Sequence, residues 1–131
     1  MSSVDAFLDK ARSGLARVTP EEADALRGEG ALLIDIRPYA NREAEGEIPG
    51  ALPVERIHLE WRLSPDSEWR LPGVTAESQV IVFCNEGYAS SLAARDLQLL
   101  GLTRATDLVG GFRAWAAAGL PTEPGGKPAL P

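Results

Sequence analysis

The run Val80-Ile81-Val82-Phe83, followed at once by Cys84-Asn85-Glu86-Gly87, constrains this chain more than any other stretch. Apolar, β-branched residues bounded by polar and turn-forming ones describe a strand with both faces covered, as in parallel sheets layered between helices. Ala31 to Ile36 is a second apolar run of strand length. Shorter strand signals fall at Ala16 to Val18, Ala51 to Val54 and Ala105 to Leu108.

Helical patterns alternate with these strands. Val4 to Leu15 has near-helical apolar spacing. Thr19-Pro20-Glu21-Glu22 combines a capping box with proline at the first helical position, so a helix should run to about Arg27. Tyr39 to Glu45 reads as a short surface helix, and Arg56 to Leu63 is read as helix although alternation would also fit. Ser90 to Leu100 is helical, with Ser90 or Ser91 as cap and Gly101 as stop, and Phe112 to Ala118 follows Gly110-Gly111. The order predicts an α/β fold: a mostly parallel sheet of about five strands with helices on both faces and sites beyond the strands' C-terminal ends. Residues 1–15 read as an N-terminal helical extension, 16–123 as the domain, and 124–131, rich in Pro and Gly, as a flexible tail.

Several function classes are disfavoured. A net charge of −6 gives no reason to expect nucleic acid or an anionic membrane as partner. No apolar run is long enough to cross a bilayer and no signal-peptide core opens the chain, so the default expectation is a cytoplasmic protein. With one Cys and one His there is neither an intrachain disulfide nor a Cys/His zinc site, so no metal is expected.

The remaining chemistry centres on Cys84. A strand, a thiol, a tight loop and a helix follow one another from Val80 to Ser91. Gly87 supplies dihedrals that let successive N–H groups point inward, a nest for negative charge, and the following helix adds its positive dipole end. Both favour thiolate over thiol.

These residues resemble the rhodanese family, which places its nucleophilic cysteine after the fourth strand and opens a six-residue loop with it, as Cys84 to Ala89 would. Leu33 to Arg37 through Gly46-Glu47-Ile48-Pro49-Gly50-Ala51 resembles the family's first boundary motif. Gly110-Gly111-Phe112-Arg113-Ala114-Trp115 through Gly119-Leu120-Pro121 resembles its last. The resemblance spans about residues 16 to 123. It implies a sulfurtransferase that needs no cofactor, with Cys84 as the catalytic nucleophile that carries sulfur as a persulfide. Asn85, Glu86, Gly87, Tyr88, Ala89, Ser90 and Ser91 would be the substrate-binding segment, their N–H groups cradling the terminal sulfur. Implied partners are a small sulfur donor such as thiosulfate, a thiol or cyanide acceptor, and possible exchange with a persulfide-carrying protein.

The sequence also departs from that family. Many members hold an Arg or Lys inside the loop, whereas this loop offers Glu86 and Tyr88 and no cation, which leaves thiosulfate open as the donor. Arg42, Arg56, Arg62 or Arg113 could reach the mouth or be solvated surface residues. Glu47 stands where His is common, and the stretch from Arg37 to Gly46 is one residue longer than the family pattern. Asp35 and Arg37 are read as fixing the turn after their strand, and Phe112 and Trp115 as core. A Cys84–His58 pair and a dual-specificity phosphatase are disfavoured, the latter because the first Arg after Cys84 is Arg95, about three helical turns on. A rhodanese-like binding or sulfur-sensing module is the competing reading.

Overall fold

The centre of the fold is the pairing of the two apolar runs. In the computed structural model, which describes all 131 residues, β1 (Leu32–Asp35) and β3 (Val80–Phe83) run parallel, with Leu32 opposite Val80 and Asp35 opposite Phe83. β2 (Leu52–Pro53) pairs with the outer edge of β1 and β4 (Thr106–Asp107) with that of β3, giving the order β2-β1-β3-β4, all parallel. The segment Ala16 to Val18, expected to be a strand, contributes only a bridge from Val18 to Leu108 beside β4. Thr19 is already committed to capping the next helix, so pairing cannot extend past Val18.

Period-two alternation in β3 feeds two cores. Val80 and Val82 pack with Ile34, Leu59, Leu63, Ala93 and Leu97. Ile81 and Phe83 face the other way, against Ala23, Ile48, Phe112 and Trp115. One face of the sheet is therefore covered by α4 (Leu59–Leu63) and α5 (Ala89–Leu99), the other by α2 (Pro20–Arg27) and α6 (Gly111–Ala117). A 3-10 turn, Arg56–His58, leads into α4, and the helical reading of Arg56 to Leu63 holds.

The Thr19–Glu22 capping box forms as read, and a second one, Ser2 with Asp5, opens α1 (Ser3–Arg12). α1 lies against α5, with its own Ala11 buried and the Arg95 guanidinium over the Phe7 ring. α3 (Tyr39–Glu45) occupies the predicted span, but it is not only a surface helix: Arg42 is buried.

The stretch read as a flexible tail is tied down. Glu123 pairs with Glu47 in an antiparallel bridge, the Lys127 N–H donates to the Glu47 carboxylate at 3.0 Å, and the Leu130 N–H donates to Pro53 O at 2.8 Å. Arg42 donates to Lys127 O and lies 3.7 Å from Glu47. Composition alone predicted looseness because these partners are some eighty residues away in sequence. No helix is long and apolar enough to cross a membrane.

Candidate active site

The sheet delivers Cys84 to the C-terminal end of its central strand, where the chain leaves β3 and turns into α5. The thiol is partly buried. Gly87 makes the turn with φ +87°, and its N–H donates to Cys84 Sγ at 3.3 Å. The N-terminus of α6 supports the loop from below: Phe112 N–H donates to Cys84 O at 2.8 Å and Arg113 N–H to Asn85 O at 3.1 Å. This approach explains Gly111, where an added Cβ would come within 2.5 Å of Cys84 O.

With its carbonyls held from below, the loop leaves donors free above. The N–H groups of Asn85, Glu86, Tyr88, Ala89 and Ser90 donate to no protein acceptor. Ser91 differs from the expectation, since its N–H is used by Tyr88 O at 3.1 Å. Neither serine caps α5: its N-cap is Tyr88, which makes no side-chain capping bond. Both hydroxyls point into the protein and donate to the Asp107 carboxylate at 2.8 Å. Ser90 and Ser91 lie in the first turn, too late to cap, and a buried acceptor on β4 claims them instead.

Asp107 is the hub that the sequence reading missed. Fully buried, it also accepts from Arg17 Nε at 2.8 Å and Arg17 Nη2 at 3.2 Å. A carboxylate within the strand segment Ala105 to Leu108 was the available signal, because a buried acid needs a partner. Arg17 then reaches Gly87 O at 3.0 Å and Arg12 reaches the same oxygen at 2.6 Å. No local pattern marks either arginine.

A cleft of ≈ 330 Å³ opens above Cys84, lined among others by Arg37, Asn41, Arg56, Glu86 and Tyr88. Of the four arginines considered for its mouth, Arg56 lines it, held by Glu60 at 2.9 Å and Asp96 at 3.2 Å. Arg113 is not among the lining residues and is bound to Glu45 and to the cleft residue Glu86, each at 3.0 Å. Arg113, with the Asn85 amide second, holds the Glu45 carboxyl down to about 2. Arg42 is buried in the tail contacts described above, and Arg62 donates to Trp69 O at 2.7 Å, outside the cleft.

Asp35 and Arg37 form a buried ion pair at 2.8 Å. Arg37 also donates to Gly46 O at 2.8 Å and stacks over Phe112 at 4.0 Å, so the pair fixes the turn after β1. Burial pushes the Asp35 carboxyl above its ordinary value, and its bonds to Arg37 pull it back. Arg37 further touches Asn85 Oδ1 at 3.4 Å, tying this turn to the loop. His58 lines a separate cavity with Trp61 and Trp69 and does not reach Cys84.

Comparison with known proteins agrees with this geometry. The rhodanese-like domain family matches residues 19–118. The thiosulfate sulfurtransferase GlpE of Pseudomonas fluorescens is 33% identical over 103 residues, covering 79% of this chain and 86% of its own. A Rhodopseudomonas palustris protein of unknown function, described as a possible tyrosine phosphatase, superposes with a TM-score of 0.82 at 33% identity, over 94% of this chain and 96% of its own. The human single-domain sulfurtransferase TSTD1 superposes at 0.63 with 28% identity, over 77% of this chain and 95% of its own. Matched over most of its length, with Cys84 following the inner strand β3 and its loop turning into α5, the chain belongs to the rhodanese-like domain family.

Proposed function

We propose that this protein is a sulfurtransferase that moves sulfane sulfur from a donor to a thiophilic acceptor through a persulfide on Cys84. The observation that carries the reading is Gly87 N–H on Cys84 Sγ at 3.3 Å, in a loop whose Glu86, Tyr88, Ala89 and Ser90 N–H groups have no protein acceptor. Donors fixed in advance around one thiol stabilise an anion that grows outward from it, the electrostatic role of an oxyanion hole.

The transfer has two displacements. Cys84 thiolate attacks the outer sulfur of the donor; the donor's S–S bond breaks and its electron pair leaves as sulfite from thiosulfate, or as a thiolate from a persulfide. Cys84 then bears S–S⁻, its terminal sulfur within reach of the loop N–H groups. An acceptor thiolate or cyanide attacks that terminal sulfur, Cys84 thiolate departs, and a new persulfide or thiocyanate is released. No external oxidant or reductant enters.

The mouth's charge bears on the donor. The cations there, Arg37 and Arg56 in the cleft's lining and Arg113 on Glu86 beside it, are all matched by carboxylates: Asp35 for Arg37, Glu60 and Asp96 for Arg56, Glu45 and Glu86 for Arg113. A small dianion finds no unpaired cation at the entrance, whereas a singly charged persulfide loses less by this. The similarity to a thiosulfate sulfurtransferase of Pseudomonas fluorescens supports thiosulfate as a competent substrate as well. The phosphatase description of one structural relative finds no support in Arg95, which pairs with Asp96 at 3.0 Å and stacks on Phe7, away from the loop.

Steady-state kinetics with thiosulfate and with glutathione persulfide, each against cyanide, test the reading. Parallel double-reciprocal lines and a higher kcat/KM for the persulfide are expected. Intersecting lines, or transfer retained in Cys84→Ser, would overturn it.

A further inference from the structure

The geometry points to Arg12 and Arg17 as positioning residues that supply the active-site loop's positive charge from behind, making the N-terminal segment part of the active site. This rests on the reading of Cys84 as a sulfur carrier and deepens it. The loop itself contains no cation between Cys84 and Ser91, and the arginines at its mouth are matched by carboxylates.

On the inner side the balance differs. Arg12 Nη2 donates to Gly87 O at 2.6 Å and Arg17 Nη2 to the same oxygen at 3.0 Å. Arg12 Nε also donates to Ser91 Oγ at 3.0 Å, and the Arg12 guanidinium lies 5.7 Å from the Tyr88 ring centroid. Asp107 is the carboxylate bound in this cluster, and its ion pair is with Arg17. Two guanidiniums against one carboxylate leave about one positive charge behind the nest, in a partly buried setting where charge acts more strongly than in water.

The bonded atom explains how that charge reaches the sulfur. Gly87 O belongs to the peptide unit whose N–H is that of Tyr88, one of the free donors. A charge-assisted hydrogen bond on the oxygen polarises the amide and strengthens its N–H as a donor. It also fixes the peptide in the orientation that, through the neighbouring unit, puts Gly87 N–H on Cys84 Sγ. Both arginines precede residue 19, where the family match begins.

The test uses the full chain with Arg12→Gln and Arg12→Lys. Arg12 is the cleaner target because Arg17 also holds buried Asp107; Arg17→Lys, which keeps that charge, is the second variant. Three quantities are read: Cys84 alkylation by iodoacetamide at neutral pH, kcat and KM for glutathione persulfide, and the thermal midpoint. Removing an oxyanion-hole donor outright costs 10²–10³ in rate, and acting through one peptide should give roughly tenfold. Arg12→Gln should therefore slow alkylation and lower kcat about tenfold with KM changed by less than about twofold, and Arg12→Lys should recover most of both. Unchanged alkylation and kcat in Arg12→Gln, whatever its midpoint, overturn the inference. Alkylation needs no sulfur transfer, so a wild-type protein that accepts no sulfur would sink the functional reading while the alkylation ratio still decides this one.

Discussion

Gly87→Ala should disable the loop and destabilise the fold, and Gly73 provides an internal control. The two glycines have nearly the same dihedral, φ +87° and +84°. An alanine at either position incurs the cost of a left-handed conformation, about 1–2 kcal/mol, offset equally by the lower entropy of the unfolded chain. They differ in surroundings. A Cβ on Gly73 meets nothing within 4 Å, whereas one on Gly87 lies 2.7 Å from Gly110 N and 3.2 Å from Leu108 O. Gly110 cannot retreat, because it and Gly111 are themselves held at positive φ where α6 starts beneath Cys84. Forcing a methyl group into backbone of this kind costs about 1–3 kcal/mol beyond the dihedral term. At about 3–6 °C per kcal/mol for a domain of this size, Gly87→Ala should melt roughly 5–15 °C below Gly73→Ala. Differential scanning calorimetry of the two variants gives the comparison, and sulfur transfer below both midpoints should be lost only in Gly87→Ala. Midpoints within about 2 °C of each other would refute the packing argument.

Two further outcomes follow from the polar contacts. Asp107→Asn keeps the shape of the hub but removes its charge and turns one acceptor into a donor facing Ser90, Ser91 or Arg17; it should lose about 2–4 kcal/mol in urea unfolding with an unchanged slope, and a loss below about 0.5 kcal/mol would count against the hub. Glu45 sits well below its ordinary carboxyl value, at about 2, so its contribution is present above pH ~4.5 and fades as pH falls towards 2. The stability difference between wild type and Glu45→Gln should accordingly shrink across that window, and shrink at high salt because the pair is partly exposed; a difference independent of pH would contradict the assignment.

What could be read from the sequence followed from local order. The β3 run and the turn residues after it place Cys84 at the C-terminal end of the sheet, because four apolar residues flanked by polar ones read as a strand covered on both faces. The Thr19 capping box was legible for the same reason: all its partners lie within four residues. Where partners are distant, local reading failed. Ser90 and Ser91 resembled caps because capping is the commonest local use of such hydroxyls, but their acceptor is Asp107, seventeen and sixteen residues on. Arg42 looked like a surface charge on a short helix until the tail folded over it, and the tail looked loose because its anchors, Glu47 and Pro53, are far upstream. Arg12 and Arg17 had no signature at all, since an exposed-looking arginine near a terminus is indistinguishable from one that folds back onto a loop seventy residues away.

The central claim, that Cys84 carries the transferred sulfur, is tested most directly by intact mass spectrometry. Reduced protein is incubated with glutathione persulfide and, separately, with thiosulfate, then freed of small molecules, with Cys84→Ser treated in parallel. The account predicts a gain of about 32 Da, one sulfur atom, in the wild-type chain, removed by cyanide and absent from the variant. No gain from either donor, or an equal gain in Cys84→Ser, would contradict it.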